Sequence, residues 1–440
     1  MSAFLDTLAP RPRKAGETAG HDPKAIARNW IAVQSVNAAR HLERLRPFKR
    51  EWFGEGLARP REAHIQAANA LIAKLRAAQE SRIGTMRRAA ALAAADPDTA
   101  RLSAFAVAKQ AAEKGTRDTE RVWHFFDELF AQRKGVFANE LSAMDRIALD
   151  CYQACWMGLG RARSLPTPPP FAYTEPSAGP ATWRRGVLVP KLSREANPFP
   201  LVRLPFHRIT NPWSLGAVPH EVGHNIHADL GLWQVTPRLL TERLTRMKMP
   251  PDAVRVWARW HKEIYADLIG VLLIGPYYVE SLMDVVGKDP AHVAAFHEEA
   301  VHPISYLRPF ISTELLRRLG FGARAAALDA AWKRIYGPAV VRRLPASMRH
   351  RFAEASRAVV DELCFRSMPQ YGGRPLAGVV RFRQRDMATV AEAARRLADG
   401  TDPGIAPERF GIAAAREALD RRLAPPETIS RNFYTALTGN

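Results

Sequence analysis

A chain of 440 residues, 47% hydrophobic and 25% charged, can bury a large core, and three cysteines, Cys151, Cys155 and Cys364, cannot build a disulfide framework. No run of eighteen apolar residues occurs, and Met1-Ser2-Ala3-Phe4-Leu5-Asp6 lacks the basic-then-apolar pattern of a secretory signal, so the sequence predicts a soluble, cytoplasmic protein without a membrane span. The formal charge of +20 raises a nucleic acid or an acidic peptide as partner, but the arginines are spread along the chain (Arg184-Arg185, Arg317-Arg318, Arg342-Arg343, Arg395-Arg396) without aromatic interleaving, which argues against nucleic acid.

Residues 1–163 read as a helical region. Helical spacing recurs around Ile65–Leu75, Met86–Ala95, Leu102–Lys114 and Val122–Leu149, with Asp96-Pro97-Asp98 as a turn. Cys151 and Cys155 lie four apart beside Tyr152 and Trp156 and read as buried thiols. Residues 164–180 form a Pro-rich linker, from Pro166 and Pro168-Pro169-Pro170 to Gly179-Pro180. Gly186-Val187-Leu188-Val189-Pro190 is a strand candidate. The run from Phe199 to Thr210 alternates weakly and contains proline, which places it on an edge strand able to pair with an extended peptide. Residues 321–440 are helical again, over Ala323–Tyr336, Phe352–Phe365, Met387–Leu397 and Ile412–Leu423.

Between them lies His220-Glu221-Val222-Gly223-His224, inside a largely apolar segment. On a helix, residues four apart share a face, so His220 and His224 can aim two imidazoles at one ion, while Glu221 can reach a water beside it. Asn211 or Ser214 is the expected cap, with Pro219 as a kink or an irregular start. The alternative is a buried helix whose histidines are satisfied by hydrogen bonds. The longer motif H-E-x-x-H-x-x-G-x-x-H is excluded by His227 and Leu230, and His227 lies about 10 Å along the axis from His220, too far to share one ion. A third ligand is offered instead by a helix predicted from Pro250-Pro251-Asp252 to Gly275-Pro276. There Glu263 and Asp267 share one face, Glu263 placed to ligate and Asp267 to accept a hydrogen bond from a ligand imidazole.

This arrangement resembles the gluzincin metallopeptidases, with H-E-x-x-H on one helix and E-x-x-x-D on a later one. It is most similar to the group containing the CAAX prenyl proteases and their soluble relatives, whose second helix reads E-x-x-A-D, as Glu263-Ile264-Tyr265-Ala266-Asp267 does. A later H-P segment followed by arginine corresponds to His302-Pro303-Ile304-Ser305-Tyr306-Leu307-Arg308. The resemblance covers roughly residues 200–310 and does not carry prenylated substrates, because the membrane helices of that group have no counterpart. It implies a zincin-like metallopeptidase core over 181–320 that binds Zn²⁺ through His220, His224 and Glu263, with Glu221 as general base. One of His302, Tyr306 and Arg308 would stabilise the oxyanion; the other reading of these three is a helix start with Tyr306 in the core and Arg308 as a surface charge.

The sequence therefore predicts a mainly α (α+β) protein: a core with a small edge-exposed β-sheet, flanked by helical regions, acting on a peptide or protein substrate. A scaffold in which the metal only pins helices, and a basic nucleic-acid-binding protein, are the rival readings. The substrate and the oligomeric state are left open.

Overall fold

The structure is a computed structural model that describes residues 22–160, 164–177 and 179–439. The Met1–Asp6 segment lies outside the described residues. The protein is mainly α, 70% helical against 4% strand, with one small three-stranded sheet. It divides into two compact units.

One unit holds the described residues to Gly54 together with Arg59–Gln132 and Gly186–Pro198. Its three long helices are α1 (Pro23–Arg44), α2 (Glu62–Ala95) and α3 (Thr99–Ala131). Asp22 caps α1, and the Asp98 carboxylate accepts from the Arg101 N–H at 2.8 Å to cap α3, so the predicted Asp96–Asp98 turn is also a helix start. Ile31, Ile83, Met86 and Phe105 form its core. The 186–190 segment is not a strand: Leu188 makes an isolated bridge to Ala196, and Pro190 opens a single 3₁₀ turn, Pro190–Leu192.

The other unit comprises Glu55–Ala58, Arg133–Arg185 and the chain from Phe199 onward. The predicted Val122–Leu149 run is broken by the Gln132–Lys134 3₁₀ turn, after which α4 (Ala138–Leu159) belongs to this unit. Cys151 and Cys155 are buried on α4, as expected. Strands β1 (Phe171–Thr174) and β2 (Ala181–Trp183) flank the central β3 (Leu201–Leu204), β1 parallel and β2 antiparallel to it. The sequence predicts the edge at 199–210, but Pro200 and Pro205 bracket β3 instead of interrupting it, so its N–H groups pair on both sides. The edges are β1 and β2.

Helix α5 (Ala217–Asp229) carries the His220–His224 motif. Its cap is Gly216, whose N–H donates to Ser281 Oγ at 3.0 Å; Asn211 and Ser214 instead flank and end a separate 3₁₀ turn. Pro219 is the third helical residue, where an N–H would have no intrahelical acceptor, so no kink arises. Asn225 on the same helix donates to Thr182 Oγ1 at 2.8 Å and fastens β2 to it.

After α6 (Val235–Arg246), the single helix predicted from 250 to 275 is two, α7 (Pro251–Arg259) and α8 (His261–Ile274), meeting at the buried Trp260 with ψ −6°. From Glu263 to Ile274 every residue of α8 is buried. Gly275, at φ +63°, turns the chain, and Pro276 opens α9 (Pro276–Val286). The remaining helices include α10 (Arg308–Arg318), α11 (Gly322–Arg343), α12 (Phe352–Val360), α13 (Asp386–Asp399), α14 (Phe410–Asp420) and α15 (Pro426–Thr438). Leu141, Val222, Leu268, Leu316, Val360, Ala414 and Phe433 belong to one apolar cluster, so the C-terminal helices share the core of the motif helix.

The two motif helices touch at Gly223 and Ala266. A Cβ at Gly223 would stand 2.9 Å from Ala266 Cα and 3.3 Å from its Cβ, closer than backbone can tolerate. Both middle positions of the motifs are therefore small for a packing reason. Gly223→Ala is expected to destabilise the protein by on the order of 1–3 kcal/mol through overpacking, read as a lower urea midpoint with an unchanged m-value. An unshifted midpoint would show that the helices can move apart without cost.

Candidate metal centre

Helix α5 presents His220 and His224 one turn apart, and α8, crossing it at Gly223, presents Glu263 opposite them. His220 Nε2 stands 3.5 Å from Glu263 Oε2, and His224 Nε2 stands 3.5 Å from Glu263 Oε1. These separations are long for N–H···O hydrogen bonds. They are close to the roughly 3.4 Å that separates two donors held tetrahedrally at about 2.0–2.1 Å from one ion. The ligand atoms of His220, His224 and Glu263 lie within 4.8 Å of one another, and the group could hold a metal ion.

Asp267, one turn beyond Glu263, fixes the orientation of the first imidazole. Its Oδ1 lies 2.9 Å from His220 Nδ1; an ionised carboxylate only accepts, so Nδ1 carries the proton and Nε2 is the atom turned toward Glu263. The same carboxylate accepts from Tyr278 Oη at 2.6 Å, and from Arg308 Nε at 2.9 Å and Nη2 at 2.8 Å in a two-pronged ion pair. Burial would raise the Asp267 carboxyl, but Arg308 and His220 hold it well below the usual carboxylate range. Burial likewise opposes ionisation of Glu263, and His224 and His220 outweigh it to hold that carboxyl low. Burial would depress the His220 imidazole, but the close contact with Asp267 and the nearby Glu263 carboxylate push it up to about 10. Glu221 is different: burial raises its carboxyl against the pull of His220 and His224. Three buried carboxyl groups thus face the Arg308 guanidinium and the His220 imidazolium, a balance that still favours a further cation.

The structure brings His220, Glu221, His224, Glu263, His302 and Arg308 to one cleft of about 660 Å³. His302, 63% exposed at its side chain, places Nε2 3.4 Å from Glu263 Oε2. Arg308 is the first residue of α10 and is spent on Asp267; it is neither a surface charge nor free to face a reacting group. Tyr306 is not among the cleft-lining residues. Its ring packs edge-on against Phe310 and Tyr336 in the core. Among the described residues no fourth metal ligand joins the three. His227 Nε2 is 3.0 Å from Thr236 Oγ1, and Cys155 is a buried thiol pushed up to about 12.

Sequence reasoning misses Tyr278. Its hydroxyl is 3.1 Å from His220 Nδ1 as well as bonded to Asp267, and its ring occupies the space that a side chain on Gly270 would fill. The available signal is Gly270 itself, a missing side chain about one turn beyond Asp267. The partner lies past the Gly275 reversal, where helical spacing no longer relates positions. No family model, no curated protein and no solved structure matches the chain.

Two outcomes follow from this geometry. The protein is expected to take up one divalent metal ion per chain, with a rise in melting temperature that a chelator reverses; His224→Ala and Glu263→Ala lose that rise, whereas uptake undiminished in both would remove these ligands. Asp267→Ala leaves Arg308 buried without its counter-charge and is expected to cost about 3–5 kcal/mol in denaturant unfolding. The double change Asp267→Leu with Arg308→Met should recover most of that loss while leaving His220 without its orienting acceptor. A double variant as unstable as the single one would show that the pair is not the source of the cost.

Proposed function

We propose that the protein is a zinc-dependent peptidase in which His220, His224 and Glu263 hold the ion. The observation that carries this reading is a two-imidazole, one-carboxylate ligand set opening onto a cleft, with a separate buried carboxylate, Glu221, beside it. Borderline-soft nitrogen and oxygen donors suit zinc, and the 3.5 Å separations fit tetrahedral holding better than the roughly 3.0 Å of octahedral neighbours at the same bond length. Three protein ligands leave a position for solvent, whereas structural zinc sites use four.

Bound there, Zn²⁺ would polarise the scissile carbonyl and lower the pKa of water. Glu221 accepts a proton from the water as its oxygen attacks the carbonyl carbon, and its burial-raised proton affinity brings it nearer the working range of a general base. The same carboxyl returns that proton to the amine nitrogen as the C–N bond breaks. His302, exposed on the cleft, is the one of the three oxyanion candidates free to donate an N–H to the developing charge. Asp267, Tyr278 and Arg308 act through His220, by fixing its ring. The free edge of β2, at Ala181 and Thr182 on the cleft wall, can align an extended peptide by main-chain hydrogen bonds.

The test is Glu221→Gln in the zinc-loaded protein. Peptide hydrolysis should fall by about 10²–10⁴-fold in kcat/KM with zinc content unchanged at one per chain. Undiminished hydrolysis would remove Glu221 from the chemistry.

A further inference from the structure

Resting on the peptidase reading, we infer that the cleft selects acidic peptides, through a set of cations that converge on it from separate elements. Apart from Arg308, which is spent on Asp267, the fixed cations lining the cleft are Arg184, Arg208, Lys262 and Lys288. Among the described residues the lining carboxylates are Glu221 and Glu263, and both belong to the centre. No other acidic side chain among the described lining residues offsets Arg208, Lys262 and Lys288.

Their origins exclude a single solvated helix face. Arg184 follows β2, Arg208 lies in the one-turn helix Phe206–Ile209, Lys262 is in the first turn of α8 beside the ligand Glu263, and Lys288 follows α9. Two of them are held in place: the Arg184 guanidinium stacks over the Trp233 ring at 3.6 Å, and Lys262 Nζ stands 5.1 Å from the same ring. Trp233 is thus a fixed apolar shelf between two positive charges on the cleft wall. Arg208 supplies an independent sign of a missing anion, because its Nε is buried and has no hydrogen-bond partner. Neither Lys262 nor Lys288 forms a salt bridge among the described residues. Carboxylate side chains flanking the scissile bond would supply Arg208, Lys262 and Lys288 with counter-charges that the described lining lacks. Focused by low-dielectric walls, the same charges would speed encounter with an acidic chain.

The experiment compares three sets of ten-residue peptides of matched length and apolar content, enriched in Glu, uncharged, or enriched in Lys, with the full-length zinc-loaded protein. Cleavage is read as kcat/KM, and binding is read separately on Glu221→Gln by fluorescence anisotropy. The inference expects kcat/KM and affinity at least tenfold higher for the Glu-rich than for the uncharged set, a preference that shrinks as salt rises from 50 to 300 mM (about 14 to 6 Å of screening length). It also expects the Glu-rich over uncharged ratio to drop severalfold in Lys262→Gln and Lys288→Gln. Equal rates across the three sets would overturn the inference while leaving the peptidase reading intact. Tight, salt-sensitive binding of the Glu-rich set with no cleavage of any set would support the cationic, anion-binding cleft and overturn the peptidase reading. A single-stranded oligonucleotide that displaces the Glu-rich peptide at lower concentration than unlabelled peptide does would overturn the inference in favour of nucleic acid.

Discussion

The site depends on one buried carboxylate. Asp267, 2% exposed, accepts from Arg308, Tyr278 and His220 at once, and these donors come from three different helices. A carboxylate in that position is tolerable only because its lone pairs are used, and each donor is correspondingly committed. Arg308 starts α10, so the ion pair sets where the chain leaves the loop carrying His302. Tyr278 is on α9, so its hydroxyl holds the reversed chain against α8. His220 is on α5, so its ring is turned before any ligand arrives. One side chain thereby couples helix placement to ligand orientation.

The second constraint is steric and works on the same helices. Gly223 and Ala266 allow α5 and α8 to cross at backbone distance, and only at that distance do the imidazoles and Glu263 come within reach of a common centre. Larger residues at either position would move the ligands outward along with the helices. The glycine and the alanine therefore belong to the site as fully as the ligands do, although neither carries a functional group. Gly270 acts in the same way farther along α8, by making room for the Tyr278 ring.

This division explains what is legible in the sequence. His220, His224, Glu263 and Asp267 sit on regular helices, where a spacing of four translates directly into a shared face, so their relation can be read from the numbering. The mainly α class follows from the same periodicity. The features that escape such reading are those set by tertiary partners. Strands β1 and β2 lie in and beside a Pro-rich passage and exist through pairing with β3, a relation spanning about twenty to thirty residues that no local pattern encodes. Proline argues for an edge at 199–210, but the prolines fall just outside the paired residues. No breaker residue announces the break at Trp260, a buried ring that packs edge-on against Trp257. Tyr306 and Arg308, close together where α10 begins, go to opposite destinations because one carries an apolar ring into the core and the other finds Asp267.

Charge ties the centre to its surroundings. Within the centre the buried acids Glu221, Glu263 and Asp267 outnumber the cations Arg308 and His220, a balance that favours a further cation. On the cleft wall the bases are in excess, and among the described residues no carboxylate of the lining lies outside the centre. The two imbalances have opposite sign and sit on different residues: Glu221, Glu263 and Asp267 are buried, whereas Lys262 and Arg184 both lie at the Trp233 ring on the wall. The strongly basic composition of the chain, uninformative as a bulk property, thus acquires a direction from where the fold puts four of its cations.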